Sequence, residues 1–126
     1  MTPVCYGTIF TGASPAVHGI QQYEKPVIKI ETLFDVFAKN GKNVAIAAVN
    51  GCSIDKIFRE RAIDYYSFRT DEKSFRCARE LMAHSDYDLI VCYMTGYDAV
   101  MHKTGPFSEV AAGQAQLAAE RFVQLA

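Results

Sequence analysis

Between Tyr97 and Ser108 the chain carries an oxygen ligand and an imidazole four positions apart, Asp98 and His102, directly after an apolar run and just before Gly105-Pro106. A carboxylate and an imidazole are both ligands for a divalent metal, zinc among them. The i, i+4 spacing would put them on one face if the segment were helical. The sequence itself reads as a loop from Asp98 to Ser108, held in place by the Gly105-Pro106 turn. Two ligands make half a site, which leaves positions around a metal for further ligands or a phosphate.

The elements that must position this pair follow a helix-strand alternation. Thr32 to Asn40 sets Leu33, Phe34, Val36 and Phe37 on a helical stripe, with Thr32 as N-cap and Gly41 just past the end. Asn43 to Val49 reads as a strand buried on both faces. Ser53 is expected to cap a short helix through Phe58, and Asp64 to Phe68 to form a brief aromatic strand. Thr70 or Asp71 then opens a helix to about His84, with Phe75, Ala78, Leu81 and Met82 inward. Asp88 to Met94 is the clearest strand, and a long helix is expected from about Ser108 to Leu125, carrying Val110, Ala111, Leu117, Ala118, Phe122 and Val123. The first 28 residues hold Pro3, Gly7, Gly12, Pro15, Gly19 and Pro26, and read as loop with one short helix from Val4 to Phe10.

Three strands alternating with helices predict an α/β fold, a partial three-layer αβα arrangement with a mostly parallel sheet, in a single domain spanning residues 1–126. Chemistry in such sheets gathers in the loops at the carboxyl ends of the strands, and Asp98 lies just beyond Met94. Neither GxGxxG nor GxxxxGK[ST] is present, so a dinucleotide site or a P-loop lacks its loop, as does a flavodoxin-like metabolite-binding domain.

Thirteen Lys and Arg against fourteen Asp and Glu give a formal charge of -1, which predicts no bulk attraction for nucleic acid or an acidic membrane. A small anionic substrate would need a local site. The four cysteines, Cys5, Cys52, Cys77 and Cys92, form no CxxC pair and read as buried apolar fillers in a reducing compartment. The first residues lack the basic start and apolar run of a signal peptide, and no apolar stretch reaches the roughly 18 residues of a membrane span. A cytoplasmic, soluble protein is the expectation.

A second run points more sharply. Thr2 stands nine residues before Thr11, and Thr11 opens Thr-Gly-Ala-Ser-Pro-Ala-Val-His-Gly-Ile, ending at Ile20. Together with Asp98, His102, Gly105, Pro106 and Ser108, this pattern resembles the alkaline phosphatase-like superfamily, especially its nucleotide pyrophosphatase/phosphodiesterase and phosphonoacetate hydrolase branches. Those enzymes carry a nucleophilic Thr nine before a Thr-Gly-x-x-Pro-x-x-His-Gly-Ile run, and later Asp-x-x-x-His-x-x-Gly-Pro-x-Ser. The resemblance covers essentially the whole chain.

It implies two-metal phosphoryl transfer, with two divalent ions, usually zinc, that activate a hydroxyl and balance phosphoryl charge. Thr2 carries over as the nucleophile, and Asp98 and His102 as ligands of one metal. His18 falls in the His-Gly turn and is expected to be structural, and His84 to be a surface residue at a helix end. Cys5 stands where the family usually has an Asn that donates to a phosphate oxygen, and Pro3 stands one place earlier than the family's Pro. The family's remaining ligands, an upstream Asp at a strand end, a downstream Asp-His pair and a further His, would lie outside these 126 residues.

The function expected by descent is therefore metal-dependent hydrolysis of a phosphate ester, phosphodiester or phosphonate, weak or absent in this chain by itself, with a small phosphorylated substrate. The alternative is a non-catalytic scaffold that keeps the fold and pairs with a partner or a second copy through its sheet edges.

Overall fold

The structure is a computed structural model that describes residues 1–126. A three-stranded, all-parallel sheet runs through it: β1 (Val44–Val49), β2 (Asp64–Phe68) and β3 (Leu89–Tyr93), in the order β2-β1-β3. Ile46 sits opposite Tyr65 on one side and Val91 on the other. The central strand is buried on both faces, as its unbroken apolar run demands of a parallel sheet.

Alternation along β1 divides its side chains between two layers. Val44, Ile46 and Ala48 join Ile20, Ile28, Phe34, Ile54, Ile57 and Phe58 in one core cluster. That cluster lies under α1 (Thr2–Thr11), α3 (Leu33–Lys39) and α4 (Ser53–Ile57). Phe10, Phe34 and Phe58 form its centre, with ring centroids 4.8 to 5.2 Å apart. Ala45 and Ala47 point the other way, and α5 (Asp71–His84) packs across all three strands there, burying Ser74, Phe75 and Ala78. The small alanines let the helix approach closely. α6 (Gly96–Thr104) and α7 (Glu109–Leu125) follow β3 as a helical pair, with α7 against α5.

Several sequence expectations need correction. The N-terminal stretch is more ordered than its proline and glycine content suggests. α1 begins at Thr2 because Pro3, at the helix start, lacks an N–H that would in any case be unpaired, and it ends where Gly12 takes φ 67°. α2 (Pro15–His18) follows, closed by Gly19 at φ 86°. The Asp98 to Ser108 segment is helix for most of its length rather than loop. Cys52, not Ser53, caps α4, its Sγ accepting the Asp55 N–H at 3.4 Å. Cys5 is exposed, while Cys52 is buried and Cys77 and Cys92 half-buried. Leu33, Val36 and Met82 lie outward, because α3 and α5 each bury a stripe narrower than their apolar residues would cover. α7 buries only Ala111 and leaves Val110, Phe122 and Val123 exposed.

Thr32 caps α3 as expected, and the structure adds a capping box with Asp35. Thr70, one of the two residues expected to open α5, caps it by accepting the Lys73 N–H at 3.4 Å, and Ser108 caps α7 by accepting the Ala111 N–H at 3.1 Å. His84 is an exposed residue at the end of α5.

Gly7 lies inside α1 because the His18 ring packs against it: a Cβ there would meet His18 Cε1 at 2.6 Å. Gly7→Ala would gain about 1 kcal/mol of helix propensity. It would force a buried, hydrogen-bonded ring to move, an overpacking cost of about 1–3 kcal/mol that decides the sign. The expected result is a lower thermal midpoint for Gly7→Ala; a stabilised variant would show that the ring yields freely.

Candidate functional site

The run from Thr11 to Ile20 folds as a corner in which each patterned residue has a structural task. The Thr11 hydroxyl donates to the Gly7 carbonyl at 2.7 Å and accepts the Ala13 N–H at 3.1 Å, closing α1. Gly12 and Gly19 supply the two left-handed turns, and Pro15 starts α2. His18 is buried; its Nδ1 accepts the Ile20 N–H at 3.3 Å. The ring hydrogen therefore sits on Nε2, which donates to Thr8 Oγ1 at 3.1 Å. His18 is thus a clamp between α1 and the chain beyond α2, and Ile20 drops into the core.

That corner orients α1, and α1 carries Thr2 as its first residue, half-buried. One turn later on the same face, the Tyr6 ring packs edge-on against Tyr93, the last residue of β3, with centroids 5.4 Å apart. The start of α1 therefore reaches the carboxyl end of the sheet. Burial, and then the neighbouring Tyr6, Cys52 and Asp98, push the Tyr93 hydroxyl well above its ordinary range. The Tyr6 and Tyr93 rings thus meet in the region where chemistry gathers in a parallel sheet.

α6 starts three residues beyond the end of β3 and carries both predicted ligands. His102 Nε2 lies 3.4 Å from Asp98 Oδ1, and the side chains are 74% and 66% exposed. A cation placed between them would meet one oxygen and one imidazole nitrogen with little need to move either helix turn. One carboxylate and one imidazole would supply two of the four ligands that a tetrahedral metal site takes. No group of three or more His, Cys, Asp and Glu side chains stands close enough together to hold a metal.

The structure thus brings Asp98 and His102 together, and places Thr2 on a separate helix docked at the same strand end. Comparison with protein-family models, with curated proteins and with solved structures found no match. What the site can do therefore rests on its own geometry.

Sequence reasoning missed two of its parts. Tyr6 and Tyr93 read only as apolar aromatics, and nothing local pairs a residue near the N-terminus with the end of β3. Asp71 read as the first residue of α5, yet its carboxylate accepts the N–H groups of Thr95 and Gly96 at 2.7 and 2.6 Å. The Cys92 thiol, raised to about 11 by burial first and by Cys77 next, is held in its neutral form on the opposite face of β3 from Tyr93 and is a packing residue. A surface groove between the second half of α5 and the end of α7 is lined by Arg76, Arg79 and His84 and includes none of the predicted site residues.

No helix is long and apolar enough to cross a membrane.

Proposed function

We propose that this chain is part of an alkaline phosphatase-like core that hydrolyses a phosphate ester, phosphodiester or phosphonate with two divalent metal ions. In this reading Thr2 supplies the attacking hydroxyl, and Asp98 and His102 hold one metal. The remaining ligands come from chain outside these 126 residues. One observation carries the reading: Asp98 and His102 stand 3.4 Å apart on an exposed helical face just past the carboxyl end of β3, where the helix headed by Thr2 also docks. A hydroxyl at the start of a helix meets an anionic phosphoryl group with the positive end of the helix dipole, which favours that placement. Cys5, exposed and a poor donor, offers weak support to a phosphoryl oxygen.

The test is hydrolysis of a nitrophenyl phosphodiester with zinc, in the 126-residue chain and in the reading frame continued past both ends. The short chain is expected to be nearly inactive. The continued frame is expected to encode the missing Asp and His ligands, and its product to turn the ester over. There, Thr2→Ala is expected to cost about 10⁴-fold or more in turnover, as loss of a nucleophile does. Unrelated sequence on both sides, or a zinc-loaded protein indifferent to Thr2→Ala, would refute the reading.

A second reading, a non-catalytic pairing module, draws on the two outer strands, each hydrogen-bonded on one side only, and on the exposed Phe122 and Val123 of α7. It expects a dimer at micromolar concentration by light scattering. A monomer throughout would remove it.

A further inference from the structure

An acidic residue at the third position of a helix has an ordinary structural use. Its carboxylate reaches back to the N–H of the residue preceding the helix and satisfies one of the unpaired donors there. Asp35 does this in α3, accepting the Thr32 N–H at 2.7 Å. Asp98 holds the corresponding place in α6, after Gly96 and Tyr97. Yet the N–H it would accept, that of Thr95, donates to Asp71 Oδ1 at 2.7 Å. The Gly96 N–H donates to Asp71 Oδ2 at 2.6 Å, and the Thr95 hydroxyl adds a bond to Oδ1 at 3.3 Å. The start of α6 is thus capped by the first residue of a different helix, and Asp98 is spared that task.

Gly96 permits the arrangement: a Cβ there would lie 2.6 Å from Asp71 Oδ2. Thr95 makes no side-chain cap of its own. Two charge-assisted bonds to backbone N–H groups are stronger and more directional than neutral ones, so they set where α6 begins and how it is rotated. Rotation of α6 decides where Asp98 and His102 point, since both lie within its nine residues.

We propose that Asp71 is a positioning residue for the Asp98–His102 pair: by capping α6 from α5 it leaves the Asp98 carboxylate free to face His102 and a divalent cation. The proposal rests on reading Asp98 and His102 as metal ligands. Without the Asp71 carboxylate, the Thr95 and Gly96 N–H groups lose their acceptor. Asp98 then takes the cap, as Asp35 does in α3, and is withdrawn from the cation.

The test uses Asp71→Ala, Asp98→Ala and the double variant in the 126-residue chain, with two measurements; alanine is chosen because an asparagine amide oxygen would still accept one of the N–H groups. In the first, thermal midpoints are compared as a cycle. Asp98→Ala is expected to lower the midpoint more in the Asp71→Ala background than in the wild type, because only there does Asp98 carry the cap; equal drops overturn the proposal. In the second, Zn²⁺ is titrated while the His102 ring resonances are followed by NMR. Folded Asp71→Ala is expected to bind about tenfold more weakly than wild type, the loss typical when a ligand's supporting group is removed. Unchanged affinity in the folded variant overturns the positioning role, since a merely stabilising residue would shift the midpoint alone. If Asp71→Ala does not fold, Gly96→Ala displaces the same carboxylate and takes its place in both measurements. If the wild-type His102 resonances do not respond to Zn²⁺, or respond equally after Asp98→Ala, the metal reading falls, and the thermal cycle alone decides whether Asp71 spares Asp98.

Discussion

Phe34→Ala is expected to destabilise the fold by about 3–5 kcal/mol, the range for truncating a fully buried aromatic ring. Phe34 has no exposed surface and packs against Phe10 and Phe58, at centroid separations of 4.8 and 5.1 Å. The three rings join α1, α3 and the end of α4 over the sheet, so the space left by one cannot be filled by a neighbour already held on two sides. Domains of this kind are stable by about 5–15 kcal/mol, and the loss is a large part of that. Urea denaturation at neutral pH measures it. Phe107, fully exposed between α6 and α7, is the control: Phe107→Ala should change stability by no more than about 0.5 kcal/mol. Similar losses for the two variants would show that the ring cluster is not the core.

Asp55→Ala is expected to cost about 2–4 kcal/mol, and to cost less in acid. The Asp55 side chain is only 2% exposed. Burial opposes its charge, but the Ser67 hydroxyl, the Gly51 N–H at 2.8 Å and the Arg59 guanidinium outweigh burial and hold its carboxyl below the ordinary carboxylate range. Removing one partner of a fully buried pair costs about 3–5 kcal/mol. The Arg59 side chain is 36% exposed and water screens it, which lowers the figure here. A carboxyl held low in the folded state contributes its full stability above its unfolded value, about 3.9, and loses it as pH falls through the folded value. Chemical denaturation from pH 7 down to pH 2 should therefore show the gap between wild type and Asp55→Ala closing below about pH 4. A gap that stays constant to pH 2 would contradict the linkage.

The placement of Asp55 shows where sequence reading stops. Asp55 stands in the first turn of a short helix, where an acid is usual for the helix dipole alone. Its burial depends on Ser67 arriving from β2, twelve residues later, a pairing with no local signal. Arg61 is similar: its side chain is almost wholly buried and ties Asp35 to the Ile28 and Ile30 carbonyls across some thirty residues. Those bonds hold the irregular chain before α3 in place. The strands and most helices are legible because apolar periodicity and a cap such as Thr32 are encoded within a few residues. Asp98 to Ser108 reads as loop in the sequence because Gly105-Pro106 marks a turn, which in the structure falls only after α6 has ended; Gly96 is tolerated at the start of that helix because the Asp71 carboxylate needs the space a side chain would fill.

By itself, then, the sequence determined the parallel α/β layering and the strand positions, since each depends on the period of a helix or strand, while the helix that pairs Asp98 with His102 came only with the structure. Only the tertiary structure decided that α1 docks Tyr6 on Tyr93, that Asp71 rather than Asp98 caps α6, and that Asp98 and His102 face outward at the strand end. Those outcomes turn on contacts between elements far apart in the chain, and no spacing within one element encodes which distant carboxylate or ring will occupy the space beside it.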